Sequence, residues 1–236
     1  MIYRLFWFAT IAALAVVTVF AQLDRKARFA PALAPIVPAA FSGFAAEQRA
    51  RIALVVQDGA TAEAEARALV EKRPIAAEHL AKLSLAAAMN DHGDTSVAAL
   101  EAASVRGWRE PIAQYASARA ALVEGAHDIA AQRVSALLAT GKMNEPALDV
   151  AARLITTPEG QEAFARRLAA FGRWQANALS PLSQKADPAD LAATLALALD
   201  QGANLDCSHL RRVTETIEKS EGEEVATALR EQCDAR

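Results

Sequence analysis

Cys207 and Cys233 are the two cysteines of the 236-residue chain, and their placement suits one bond-forming reaction, oxidation to a disulfide. They bracket the stretch CSHLRRVTETIEKSEGEEVATALREQC. Leu210, Val213 and Ile217 recur there at helical spacing. Ser220-Glu221-Gly222 reads as a turn, and Glu223-Glu224 favour the start of a second helix through its dipole. Val225, Ala228 and Leu229 give that helix an apolar stripe. Each cysteine lies 13 residues from Ser220, so in an antiparallel hairpin the two face each other across the open end, as a disulfide needs. Such a bond implies an oxidising compartment. Two unrelated buried thiols are the alternative. A metal site would require more ligands than these cysteines and the neighbouring His209 provide.

No other residue pattern promises chemistry. His79, His92, His127 and His209 include no pair at i, i+4 and no HExxH or HxxE pattern. The chain has no P-loop, no GxGxxG fingerprint and no GxSxG elbow. Glu221, Glu223 and Glu224 suit a helix N-terminus better than a catalytic site. The expectation is therefore a protein that is not an enzyme, with no catalytic residue, no cofactor and no metal.

The elements that carry these residues are helical. Alanine, the best helix former, makes up about a quarter of the chain, while β-branched and aromatic residues are sparse after the N-terminal segment. The net charge of −3 comes from interspersed acids and bases. Arg166-Arg167 and Arg211-Arg212 are isolated doublets on solvated faces, so no nucleic acid is expected as a partner.

Residues 1–28 form a membrane segment. Leu5 to Leu23 reads LFWFATIAALAVVTVFAQL, uncharged throughout and about 28 Å long as a helix, close to the thickness of a bilayer's hydrocarbon core. Phe6, Trp7 and Phe8 suit an interfacial belt. A permanent anchor is favoured, and a signal peptide cleaved after Val19-Phe20-Ala21 is the alternative. Arg4 on one side nearly balances Arg25, Lys26 and Arg28 on the other, so flanking charge leaves the orientation undecided. The cysteine pair favours a periplasmic body on the inner membrane.

Residues 29–42 hold prolines at 31, 35 and 38 and read as a semi-rigid spacer. Beyond them, residues 43–145 alternate helical stretches with short breaks. The pairs run 43–56 with 61–72, 75–89 with 95–105, and 112–123 with 127–140. Pro74, Pro111 and Pro146 punctuate their ends, and Gly93 and Gly125 stand at the breaks. Helix pairs of this length resemble tetratricopeptide repeats. Counting from Gly93, Ala98, Ala102 and Val105 match the small or apolar positions of the second helix. From Gly125 the corresponding residues are Ala130, Val134 and Leu137. The large aromatic of the first helix is missing, with Tyr115 only near its place. Residues 146–236 continue as a helical region, with helices at 147–156, 159–171 and 188–199 before the cysteine hairpin. Thr157-Pro158 and Asp187-Pro188 supply N-caps.

The expected fold is all-α: an N-terminal transmembrane helix, a tetratricopeptide-like superhelix and a C-terminal helical hairpin. The resemblance implies a membrane-tethered scaffold whose first helices line a groove for a partner protein of the bacterial cell envelope, in surface-polysaccharide export or envelope assembly. Tyr115, Trp108 and Trp174 are the candidate partner-binding residues, and Trp174 with Phe171 is also a candidate for packing between the repeats and the C-terminal region. An oligomeric structural subunit is the second reading and an enzyme of glycan or lipid metabolism the third.

Overall fold

A computed structural model describes residues 2–170, 172, 174–221 and 223–234. Helices dominate, and no strand occurs among the described residues. Two compact units divide the chain, residues 1–107 and 108–236. The third helix pair, near residues 112–140, lies in the second of these units.

The first unit begins with α1 (Ile2–Ala27), whose stretch from Tyr3 to Ala27 is long and apolar enough to cross a membrane. Residues 31–36 and 39–41 form two short 3-10 turns. Ala34 and Val37 pack with Ala27 of α1 and Ala45 of the next helix, so the segment is a collar around the end of α1. The unit continues with α2 (Phe44–Val55), α3 (Gly59–Lys72), α4 (Ala77–Met89) and α5 (Gly93–Arg106), where α2–α3 and α4–α5 pair and α4 lies against both α2 and α3.

The second unit holds α6 (Pro111–Val123), α7 (His127–Thr140), α8 (Asn144–Leu154), α9 (Pro158–Ala169), α10 (Trp174–Leu182), α11 (Pro188–Asp200), α12 (Cys207–Glu221) and α13 (Glu223–Asp234). They form two layers. α6, α8, α10 and α12 neighbour one another in turn, as do α7, α9, α11 and α13. The core between the layers is continuous from Ala118 to Cys233 and includes Leu137, Leu154, Phe164, Leu195 and Ile217. Through residues 144–200 the pairing of consecutive helices weakens, with α9 packing mainly on α7 and α11, and it returns in the α12–α13 hairpin.

The repeat is sharper in the backbone than in the sequence. Gln57, Asp91 and Gly125 all adopt positive φ, at intervals of 34 residues. One residue later, the amides of Asp58, His92 and Ala126 bond back to the carbonyls of Ala53, Ala87 and Ala121 at 2.9, 2.9 and 2.8 Å. This is the six-to-one closure that ends a helix on a left-handed residue. The helices that follow, α3, α5 and α7, each contain 14 residues and begin at 59, 93 and 127.

This origin corrects the register of the second pair. α5 buries Ala99, Ala103 and Ser104, whereas Ala98 and Val105 are exposed and Ala102 is half-buried. Gly93 is the first residue of that helix rather than the turn, so counting from it rotates the face. In α7 Ala130, Val134 and Leu137 are buried as expected, because Gly125 is itself the left-handed residue.

Candidate functional site

The α12–α13 hairpin brings Cys207 and Cys233 together. Their sulfurs lie at disulfide distance and their Cα atoms 5.9 Å apart. Leu210, Val213 and Ile217 of α12 are buried, as are Ala226 and Leu229 of α13. Arg230 closes the flank, donating to Glu218 at 2.5 Å and to the Thr214 hydroxyl at 2.9 Å. Gly222 of the expected turn lies outside the described residues. Thiol labelling of denatured, unreduced protein is expected to modify neither cysteine. Reduction is expected to raise hydrogen exchange in α12 and α13, since it removes the constraint on their open end. Labelling of both cysteines without reductant would mean the sulfurs are unbonded.

The α13 stripe needs one correction. Leu229 is buried, but with Ala226 and Cys233 rather than with Val225 and Ala228, which are exposed. Val225 and Ala228 line an open, mostly apolar groove of about 470 Å³ opposite Ala192, Ala193 and Ala196 of α11.

A second cleft, about 280 Å³, lies between α6 and α8. Tyr115 and Arg119 line it from α6, Val150 and Arg153 from α8. Tyr115 is half-buried, with the Arg119 guanidinium 5.8 Å from its ring centre. Among the described residues neither Arg119 nor Arg153 has an ion-pair partner, whereas Asp149 in the same wall is paired to Lys185 at 2.6 Å. The cleft therefore offers two guanidinium groups without ion-pair partners among the described residues, around a phenol, a setting for an anionic side chain or terminus beside an apolar one.

The other aromatic candidates are elsewhere. Trp108 is exposed, with Arg109 4.4 Å over its ring. Trp174 packs on buried Phe164, ring centres 6.0 Å apart, at the edge of the core. Phe171 lies outside the described residues. Tyr115 lines the α6–α8 cleft, whereas Trp108 and Trp174 are not among the described residues of its lining.

Two polar clusters hold the first unit together. Glu47 on α2 accepts from Arg73 at 2.9 Å and from Lys82 at 3.2 Å, with His79 Nε2 3.8 Å away. Contact with His79, then the charge of Lys82, hold the Glu47 carboxyl down to about 2 against the opposing effect of burial. A carboxylate with a depressed folded pKa stabilises the fold above its unfolded value, and that stability is lost as pH falls through the folded one. The N-terminal unit is therefore expected to lose roughly 1–3 kcal/mol between pH 4.5 and 2 through Glu47, allowing for partial solvent screening. Glu47→Gln should flatten that part of the pH profile in denaturant titrations. An unchanged slope would place the effect elsewhere.

Glu63 on α3 is buried and accepts from Asn90 at 2.6 Å and His92 at 2.8 Å. It fastens the first pair to the turn of the second. Its carboxyl is held below the usual range by Asn90 first and His92 next, with burial opposing.

A third polar contact was not expected from sequence. Asp24, in the last turns of α1, accepts from the amides of Gly43, Phe44 and Ala45 at 2.9, 3.1 and 2.8 Å. It thus caps α2 from a separate helix. A lone acid after an apolar run carries no signal of a partner some 20 residues away. Among the described residues no three His, Cys, Asp or Glu side chains gather as a metal site.

These features define an all-α, helical-repeat-like protein with one N-terminal helix able by length and composition to span a membrane. No protein-family model matches the chain, and no curated protein or solved structure matches it.

Proposed function

We propose that the chain is a membrane-tethered scaffold of tetratricopeptide-like repeats that takes a segment of a partner protein in the bacterial cell envelope, within surface-polysaccharide export or envelope assembly. The cleft between α6 and α8 carries this reading. Successive first helices of a repeat stack form the face on which such proteins hold extended segments. Here that face presents Tyr115, Arg119 and Arg153, the two arginines without ion pairs among the described residues. The 34-residue interval of the left-handed turns supports the repeat class. α1 as an anchor would raise the effective concentration of the cleft for other membrane proteins. The Cys207–Cys233 pair supports a periplasmic body.

A photo-crosslinker in place of Tyr115 or Arg119, in the full-length chain in cells, is expected to trap an envelope protein. Recovery of self-contacts alone would count against the scaffold. Reporter enzymes fused after residue 45 test the compartment, with activity expected only from the periplasm-active enzyme. The second reading, an oligomeric structural subunit, rests on the apolar α11–α13 groove. A concentration-independent oligomer of the full-length protein would favour it.

A further inference from the structure

We propose that the collar at residues 29–41 is a second membrane-contact element, seated in the headgroup and upper acyl region of the bilayer that α1 crosses. This rests on the reading of α1 as a membrane anchor. The chain from Phe29 to Ala46 carries no charge, and the side chains of Phe29 and Ile36 are 81% and 57% exposed. Exposed side chains of this type gain from an interfacial surrounding, and the depth of the collar supplies one. The Phe41 ring stacks on Phe20 of α1 with ring centres 5.5 Å apart. Phe20 lies about 5 Å inside the end of the uncharged run at Leu23. The collar thus overlaps the last turn of the membrane span, at the depth where interfacial elements lie, about 5–10 Å into the headgroup and acyl boundary.

Its backbone suits that depth. Pro31, Pro35 and Pro38 bring no amide to desolvate. The turns close their own bonds, Leu33 to Ala30 and Phe41 to Pro38 among them. Side chains from the body reach further carbonyls, Arg49 bonding Ala34 at 2.7 Å and Lys72 bonding Ala39. Backbone in contact with lipid needs such satisfaction, because no water is there to provide it. Beside the collar, Arg25, Lys26 and Arg28 are exposed and form no ion pair among the described residues, leaving three cations at headgroup level for anionic lipid.

The test is depth measurement on the full-length protein in vesicles of phosphatidylcholine with phosphatidylglycerol. An environment-sensitive fluorophore is attached at Ile36→Cys, Leu14→Cys or Ile75→Cys, one at a time, with the native pair left oxidised. Lipids bearing a quencher on the upper acyl chain are then added. Ile75, 89% exposed on the same unit, reports the aqueous body, and Leu14 the middle of the span. Quenching at position 36 is expected to exceed that at 75 at least threefold. Equal quenching at 36 and 75, with position 14 protected from water, would overturn the collar assignment alone. A water-exposed position 14 would overturn the anchor and the collar with it.

Discussion

Asp24→Ala is expected to destabilise the N-terminal unit by about 2–3 kcal/mol and to free the body from the membrane helix. The Asp24 carboxylate is buried and accepts three backbone amides at the start of α2. Ordinary N-caps contribute about 1 kcal/mol and up to 2. A charged, buried acceptor shared by three donors belongs at the upper end or above, because its removal leaves amides unpaired where water enters poorly. The loss has a mechanical side. Asp24 belongs to α1 and its partners to α2, so the cap is a polar joint between anchor and body, with the apolar collar around Ala34 and Val37 beside it. With the joint gone, the collar should open. Proteolysis within residues 29–42 of the detergent-solubilised full-length protein should accelerate, and hydrogen exchange should rise in the first turn of α2. Asp24→Asn, which keeps one acceptor oxygen, should fall between. Unaltered proteolysis in Asp24→Ala would mean that apolar packing alone holds the joint.

Helices such as α9 and α11 were legible from sequence because each starts on a local signal. Asp187 caps α11 through the amides of Ala189 and Asp190, and Thr157 caps α9 through Gly160. Both caps are readable from a Thr-Pro or Asp-Pro pair. The cysteine hairpin was legible because a symmetric spacing about a turn fixes which residues meet. What stayed hidden depends on partners distant in sequence or on backbone conformation. α10 ends in Ser180-Pro181-Leu182, and a proline that reads as a break is taken within the last turn of the helix. The face of α5 was misplaced because the left-handed residue is Asp91, a position that glycine usually marks. The cleft at Tyr115 could be suspected from the aromatic, but Arg119 and Arg153 join it only through the packing of α6 on α8.

The tight passage from α8 to α9 leads to the other large effect, in the C-terminal unit. A Cβ on Gly160 would lie 1.7 Å from the carbonyl oxygen of Leu154 and 2.8 Å from its carbon. Both are backbone atoms, so no side-chain rotation relieves the clash, and α8 must move against α9. Leu154, Ile155, Phe164 and Leu168, all fully buried, pack on either side of that passage. Cores at native density resist such displacement. Gly160→Ala is therefore expected to cost about 3 kcal/mol or more, lowering the Tm of the full-length protein by about 10 °C, with hydrogen exchange rising in α8 and α9. Gly93→Ala is the matched control. Its added methyl would meet no atom within 4 Å, and alanine favours the helix that Gly93 begins, so stability should hold or rise by a few tenths of a kcal/mol. The contrast separates a close approach of backbones from a mere helix-propensity effect. Equal Tm values for the two variants would place α8 and α9 further apart than the Leu154–Gly160 contact requires.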